Sequence, residues 1–179
     1  MEEYFDIVDE NNKQTGEKRL RFEAHTLGLW HRTVHIYFFR QKDNQIEFLV
    51  HLRSKYKDLH PNCWDTRFGG HLKSGETIEK TVINEIKEEL GLEIDLNSLI
   101  KGSVHKRDKK TNREFTQVYY YKFDDNLKLL SFKDKEVQKV KWMAAADIII
   151  SLTNNPDEWS SSLKGFKEIL GYLVKYLDR

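Results

Sequence analysis

The acidic residues with the most informative spacing in this sequence are three glutamates: Glu85, Glu88 and Glu89. Apolar residues recur at helical spacing around them, which predicts a helix over Glu76–Leu90. On one helix these carboxylates are i, i+3 and i+4 neighbours, which repel one another by roughly a few tenths of a kcal/mol per pair. A divalent cation removes that repulsion, and carboxylate oxygens are preferred ligands of Mg²⁺ and Mn²⁺. We therefore predict a metal site on this helix.

Glycines flank the predicted helix at both ends. Gly69, Gly70 and Gly75 allow the preceding loop to turn tightly and to bring its backbone close to a metal or a phosphate. Gly91 ends the helix at its carboxyl end. The alternative interpretation is a solvated acidic face on a surface helix. It explains the glutamates alone but not the glycine-rich loop before them.

The segment from Gly70 to Leu92 resembles the Nudix box, the signature of the Nudix hydrolase superfamily. That pattern is a glycine, five residues, a glutamate, seven residues and then Arg-Glu-apolar-x-Glu-Glu-x-Gly-apolar. Every specified position matches except the arginine, which is Asn84 in this chain. The resemblance implies an α/β (α+β) fold, an α/β/α sandwich with a mixed sheet. It also implies metal-dependent cleavage of the diphosphate bond in a nucleoside diphosphate linked to another moiety.

The resemblance also implies roles for individual residues. The residues implied both to be catalytic and to bind Mg²⁺ (or Mn²⁺) are Glu85, Glu88 and Glu89. The residues expected to contact the small-molecule diphosphate substrate are Gly70, His71 and Glu76. The base that acts on water is either Glu85 or an acidic residue outside the box, for which the candidates are Glu114, Asp134 and Glu136. Asn84 can hydrogen-bond to a catalytic glutamate, as the family arginine does, but it supplies no charge.

The amino-terminal half is similar to the isopentenyl-diphosphate isomerase-like branch of the superfamily, whose isomerases bind metal through histidines. The corresponding region of this chain contains four histidines: His25, His31, His35 and His71. We expect His71 and His25 to be the better candidate ligands. His31 begins a predicted strand and His35 alternates within it, so both have a structural interpretation.

Isomerase activity is therefore the main alternative function. The isomerases place a catalytic cysteine directly before the Gly-His-Pro that opens their box, whereas this chain has Gly69 there and Leu72 at the proline position. Cys63 lies on the other side of Trp64 and is predicted to be a small, buried apolar residue.

A further alternative is a catalytically weak module that senses a nucleotide. Asn84 favours that hypothesis, and the three retained carboxylates oppose it.

The remaining pattern predicts elements on both sides of this segment. Aromatic and β-branched runs predict strands at 4–8, 32–40, 46–52, 101–107, 114–123 and 137–143. Helical patterns predict a short helix at 144–152 and a carboxyl-terminal helix at 160–178. We interpret residues 1–179 as one Nudix domain, with an amino-terminal extension, residues 1–31, packed on it.

The composition limits the kind of partner. The 179 residues include 30 basic and 29 acidic side chains, a net charge of +1, which argues against a binder of nucleic-acid polymers or membrane surfaces. One cysteine cannot form an internal disulfide, and the sequence has neither a long apolar run nor a secretory signal pattern. We therefore expect a cytoplasmic enzyme acting on a small molecule. The sequence is compatible with a homodimer but does not define the oligomeric state.

Overall fold

The computed structural model describes residues 2–57, 59–132 and 137–179. Within these ranges the α-helices are α1 Arg21–Thr26, α2 Ile78–Leu90, α3 Ala145–Asn154 and α4 Leu163–Leu177. The strands are β1 Tyr4–Val8, β2 Gln14–Leu20, β3 His31–Lys42, β4 Gln45–Arg53, β5 Trp64–Asp65, β6 Leu99–Lys109, β7 Asn112–Lys122 and β8 Val137–Ala144. No helix in the described ranges is long and apolar enough to cross a membrane.

The central sheet is mixed. Its strand order is β5–β4–β3–β7–β6, and β8 also pairs with β4. Strands β3 and β7 run parallel, in a register that sets His31 opposite Glu114, whereas the other pairs in this sheet are antiparallel. After β5 the chain returns to β3, where Phe68 and Ile36 exchange backbone hydrogen bonds of 2.8 and 3.0 Å. The loop that leads into α2 therefore begins on the sheet.

Helices cover both faces of this sheet. Helix α2 packs on one face through three fully buried side chains: Val82, Ile86 and Leu90. Helices α3 and α4 pack on the other face through Ile148, Leu152, Phe166, Ile169 and Leu173. Successive apolar residues of β3 alternate between these two cores, as the pleat of a strand requires. The predicted α/β/α sandwich with a mixed sheet is confirmed.

Two helices begin later than the sequence predicts. Helix α2 begins at Ile78 rather than Glu76, because Thr77 has an extended backbone and its side chain accepts a hydrogen bond from the Lys80 amide. Helix α4 begins at Leu163 rather than residue 160, because Ser162 caps it in the same way. In both cases a side-chain oxygen satisfies a backbone N–H that has no partner within the helix.

The amino-terminal extension has more structure than the sequence predicts. One strand was expected, but the chain forms an antiparallel hairpin of β1 and β2 and then the short helix α1. Most of β2 is exposed, so it lacks the alternation by which a half-buried strand is found. Phe5, Ile7, Ala24 and Leu29 form a small apolar cluster that joins the hairpin to α1.

Cys63 lies just before β5. The prediction that it is a buried apolar residue is wrong, because the residue is partly exposed. Its Sγ atom lies 3.5 Å from the carbonyl oxygen of Asp157, in the surface segment between α3 and α4.

Candidate active site

The loop before α2 is fixed to β3 at its first residues. The Val34 N–H donates to the Gly70 carbonyl oxygen at 2.9 Å. Gly69 has a φ of +125°, and a Cβ atom built on it would lie 2.2 Å from the Val34 carbonyl oxygen. Only glycine fits this position without movement of the backbone. The position at which the isomerases carry their cysteine therefore has no room for a side chain here.

Two of the three predicted glutamates contact these glycines. Oε2 of Glu89 accepts a hydrogen bond from the Gly69 N–H at 2.8 Å. A Cβ atom built on Gly70 would lie 2.6 Å from Oε1 of Glu85, so the Glu85 carboxylate occupies the space beside this glycine. Glu88 is exposed to solvent. Helix α2 thus presents Glu85 and Glu89 to the backbone of the loop.

These residues suit a hard divalent cation by chemical type. Carboxylate and backbone oxygens are the ligands that Mg²⁺ and Mn²⁺ prefer, and the Glu85 and Glu89 carboxylates lie beside Gly69 and Gly70. A second group of potential ligands, three histidines whose ring nitrogens lie within 4.8 Å of one another, is described below.

Glu76, which lies just before α2, is joined to Asn84 within the helix. Oε1 of Glu76 accepts a hydrogen bond from Nδ2 of Asn84 at 3.3 Å, and its Oε2 accepts one from Oγ1 of Thr81 at 3.2 Å. Nζ of Lys80 lies 3.8 Å from the same carboxylate. Asn84 therefore contacts the first glutamate of the box through a neutral donor, where an arginine would make a stronger, charge-assisted bond. That Glu76 contacts substrate stays a prediction.

Three histidines from separate elements converge on one point. His25 comes from α1, His31 begins β3, and His71 lies in the loop before α2; their ring nitrogens lie within 4.8 Å of one another. We call these three residues the histidine cluster. His31 is not among the candidates favoured from sequence, yet it lies beside the two that are, His25 and His71. His35 lies outside the cluster, and desolvation lowers the pKa of its ring to about 3.

The nitrogens of the histidine cluster are arranged as ligands. Nδ1 of His31 lies 2.8 Å from the Leu29 carbonyl oxygen, so Nδ1 carries the proton of the neutral ring and Nε2 the lone pair. Nε2 of His31 and Nε2 of His71 are buried and have no hydrogen-bond partner, which is costly unless a cation occupies the centre. Burial lowers the pKa of His71 and of His25, and for His25 the other two rings lower it further. Neutral imidazoles are the form that binds metal.

Glu114 reaches the same cluster from β7. Its Oε1 lies 3.7 Å from Nε2 of His31 and 3.6 Å from Nε2 of His71. Although burial raises the pKa of Glu114, contacts with His31, His71 and Arg107 bring it well below its usual range. An ionised carboxylate beside three imidazoles is a donor set typical of Zn²⁺, Mn²⁺ or similar ions. Glu114 was predicted as a candidate base; the other two candidates, Asp134 and Glu136, lie outside the described residues.

A buried polar region near β5 was not predicted from the sequence. Nε and Nη2 of Arg67 each donate to an oxygen of Asp65 at 2.9 Å. His51, opposite Asp65 on β4, is 5% exposed, and its Nδ1 has no hydrogen-bond partner. Burial lowers the pKa of His51 to about 4. In the sequence, the only signal of this buried polar region is His51, which interrupts the apolar pattern of a predicted strand.

Comparisons with known proteins bear on the family and the fold of this chain. The family model of the NUDIX domain matches residues 29–163. An uncharacterised Nudix hydrolase of Clostridium acetobutylicum is 38% identical over 124 residues, which cover 67% of this chain but only 59% of that protein. An isopentenyl-diphosphate Delta-isomerase of Photobacterium profundum is 25% identical over 99% of this chain and 98% of its own length. The crystal structure of DR0079 from Deinococcus radiodurans aligns with this chain at a TM-score of 0.71 and 24% identity. The alignment covers 86% of this chain and 90% of that chain, which shows a similar fold.

Proposed function

This chain belongs to the Nudix family, and on that premise we propose that it is a pyrophosphohydrolase that uses Mg²⁺ or Mn²⁺ to cleave a nucleoside diphosphate linked to another moiety. The observation that carries the proposal is the contact of Glu89 and Glu85 with Gly69 and Gly70. It brings the acidic side chains of the box to the backbone of the loop that is expected to contact substrate.

In the proposed reaction a water oxygen forms a bond to one phosphorus while the bond from that phosphorus to the bridging oxygen breaks. The water proton passes to a carboxylate, and two phosphate monoesters leave. A divalent cation makes the water more acidic and neutralises charge on the diphosphate oxygens. Of the described candidates for the base, Glu85 lies beside Gly70, whereas Glu114 faces His31 and His71. This distribution supports Glu85 as the base, with Glu88 and Glu89 as further ligands.

The histidine cluster is proposed as a second metal site, as the resemblance to the isomerase-like branch implies, and Glu114 is added to it because it lies close to His31 and His71. The two buried Nε2 atoms without partners support this assignment. Nitrogen-rich sites favour softer ions than Mg²⁺, so the two sites are expected to differ in the metal they select.

The same cluster is the observation that favours the second candidate function, isomerisation of isopentenyl diphosphate. The isomerase relative that matches nearly the whole chain adds to it. Gly69 argues against isomerase activity, because a Cβ atom at this position would lie 2.2 Å from the Val34 carbonyl oxygen. A chain that cannot carry the isomerase cysteine and keeps the box glutamates is better suited to hydrolysis.

A substrate panel separates these functions. Purified protein is incubated with nucleotides, nucleotide sugars, dinucleotides and isopentenyl diphosphate, each with and without Mg²⁺ or Mn²⁺, and products are followed by phosphorus NMR. We expect metal-dependent release of two phosphate products from at least one nucleoside diphosphate derivative. Double-bond isomerisation without phosphate release would contradict the proposal in favour of an isomerase. Nucleotide binding without any turnover would contradict it in favour of a sensor.

A further inference from the structure

The amino-terminal hairpin contacts the loop before α2 at both ends of residues 71–75. At one end the fully buried Phe5 ring stacks on His71, with ring centroids 4.8 Å apart and 9° between the planes. At the other end the Asp6 carboxylate accepts hydrogen bonds from Oγ of Ser74 at 2.7 Å and from the Gly75 N–H at 2.9 Å. The Ser74 N–H also donates to the Tyr4 carbonyl oxygen at 2.7 Å. Three consecutive residues of β1 therefore hold this segment.

The segment held by the hairpin lies between the two parts of the candidate active site. Gly69 and Gly70, which contact the glutamates, come directly before it, and Glu76 comes directly after it. Strand β3 fixes its first residues, since the Leu72 N–H donates to the Arg32 carbonyl oxygen at 3.0 Å. In the turn that follows, Ser74 and Gly75 donate hydrogen bonds to the Asp6 carboxylate.

We propose that Asp6 is a positioning residue for the hydrolytic site, acting through Ser74 and Gly75 to set where Glu76, the next residue, lies relative to α2. The inference rests on the proposed function, and Asp6 lies outside residues 29–163, which the family model matches. A carboxylate is suited to this task, because each of its oxygens accepts one of the two bonds. Displacement of a catalytic group by about 1 Å can cost on the order of a hundredfold in rate.

The first test is kinetic. In Asp6→Ala we expect kcat to fall at least tenfold, with KM changed less than kcat. Asp6→Asn keeps one acceptor oxygen and should retain an intermediate kcat. The matched control is Thr15→Val, which removes an exposed hydroxyl that bonds to the Ile7 carbonyl oxygen within the same hairpin. It should leave kcat within about twofold of wild type, because Thr15 does not reach the loop.

The second test does not depend on turnover. NMR hydrogen exchange is measured at the Glu76 amide, which bonds to the Lys73 carbonyl oxygen and not to Asp6. A positioning role predicts that Asp6→Ala speeds exchange at Glu76 at least tenfold, whereas a purely local role speeds it only at Gly75. The inference is overturned if Glu76 exchange is unchanged, or if Thr15→Val lowers kcat as much as Asp6→Ala. If the wild type turns over no substrate, the proposed function fails, and exchange at Glu76 alone decides whether Asp6 positions the loop.

Discussion

The backbone N–H of Gly69 donates a hydrogen bond to Oε2 of Glu89 at 2.8 Å, which joins the start of the loop to the last turn of α2. Both partners are held in place. Gly69 lies against the Val34 carbonyl oxygen, and Glu89 precedes the fully buried Leu90. A hydrogen bond to an ionised carboxylate is stronger than one to a neutral acceptor. The negative charge on Glu89 therefore strengthens the hydrogen bond to the loop and would also attract a cation bound beside it.

Replacement of Glu89 by glutamine is the most direct test of the site. Glu89→Gln removes a negative charge from the proposed metal site, so we expect kcat to fall at least about a hundredfold, or roughly 3 kcal/mol of transition-state stabilisation. The fold should survive, because relief of carboxylate repulsion is mildly stabilising. Steady-state kinetics and thermal unfolding measure the two effects. The control is Glu79→Gln, an exposed residue in the first turn of α2. Unchanged metal-dependent turnover in Glu89→Gln would show that the glutamates are only a solvated face.

Gly70→Ala should separate activity from stability. The new methyl group would meet the Glu85 carboxylate at 2.6 Å, and the flexible end of that side chain can move away. We therefore expect little change in the unfolding temperature but a fall in kcat of at least about tenfold, as displaced catalytic groups lose rate steeply. The comparison variant is Gly171→Ala, which has open space on α4 and should stabilise the protein by about 1 kcal/mol. Full activity in Gly70→Ala would contradict a catalytic position for Glu85.

Asn84→Arg tests the departure from the Nudix pattern. Asn84 bonds to Glu76 at 3.3 Å, and an arginine there can pair with the same carboxylate through a charge-assisted bond. We expect the hydrolytic rate to hold or to rise, as measured by kcat/KM on the preferred substrate. A large fall would mean that Asn84 belongs to a different arrangement, such as one that accommodates a bulkier substrate.

The loop–helix unit could be predicted from sequence because its determinants are local. Val82, Ile86 and Leu90 recur at helical spacing, and all three are fully buried in the structure. The helix start was placed early, since the capping role of Thr77 depends on its backbone conformation. The apolar and aromatic patterns also predicted five strands of the central sheet to within two residues of their observed bounds: β3, β4, β6, β7 and β8.

The histidine cluster could not be predicted in the same way because it depends on contacts between distant segments. His31 meets Glu114 through the parallel register of β3 and β7, which no local spacing encodes. His25 lies on a helix of six residues, too short to show a period. Asp6 likewise gains its role only when the hairpin lies against the loop. Sequence spacing identified the residues within one element but not those shared between elements.

The histidine cluster predicts a measurable metal content. His31→Ala removes a fully buried ligand, so we expect the protein to lose about one equivalent of Zn²⁺, Mn²⁺ or Co²⁺ in elemental analysis after dialysis. His105→Ala is the control, since His105 lies on β6 beside Ser103, outside the cluster. Equal metal content in both variants would contradict the second site. Mg²⁺ activation should respond less to His31→Ala than to Glu89→Gln, because the two sites use different ligands.

His51 should make the protein less stable in mild acid. Burial lowers its folded-state pKa to about 4; Arg53, Arg67 and Lys57 also lower it, while Asp65 opposes them. The unfolded ring has its ordinary pKa of about 6.5, so between these values the unfolded chain binds more protons than the folded one. The stability that His51 contributes is therefore fully present above about pH 6.5 and is lost as the pH falls towards 4, by about 3 kcal/mol at most.

Urea unfolding of the wild type and His51→Gln at a series of pH values between 4 and 7.5 measures this effect. Glutamine does not titrate, so we expect the free energy of unfolding to fall less steeply with acid in His51→Gln than in the wild type. His105→Gln removes a partly exposed histidine and should keep the wild-type slope. His35 has a folded-state pKa of about 3, so it contributes part of the pH dependence of stability in every variant. Parallel curves for His51→Gln and the wild type would show that the His51 ring is not held neutral by burial.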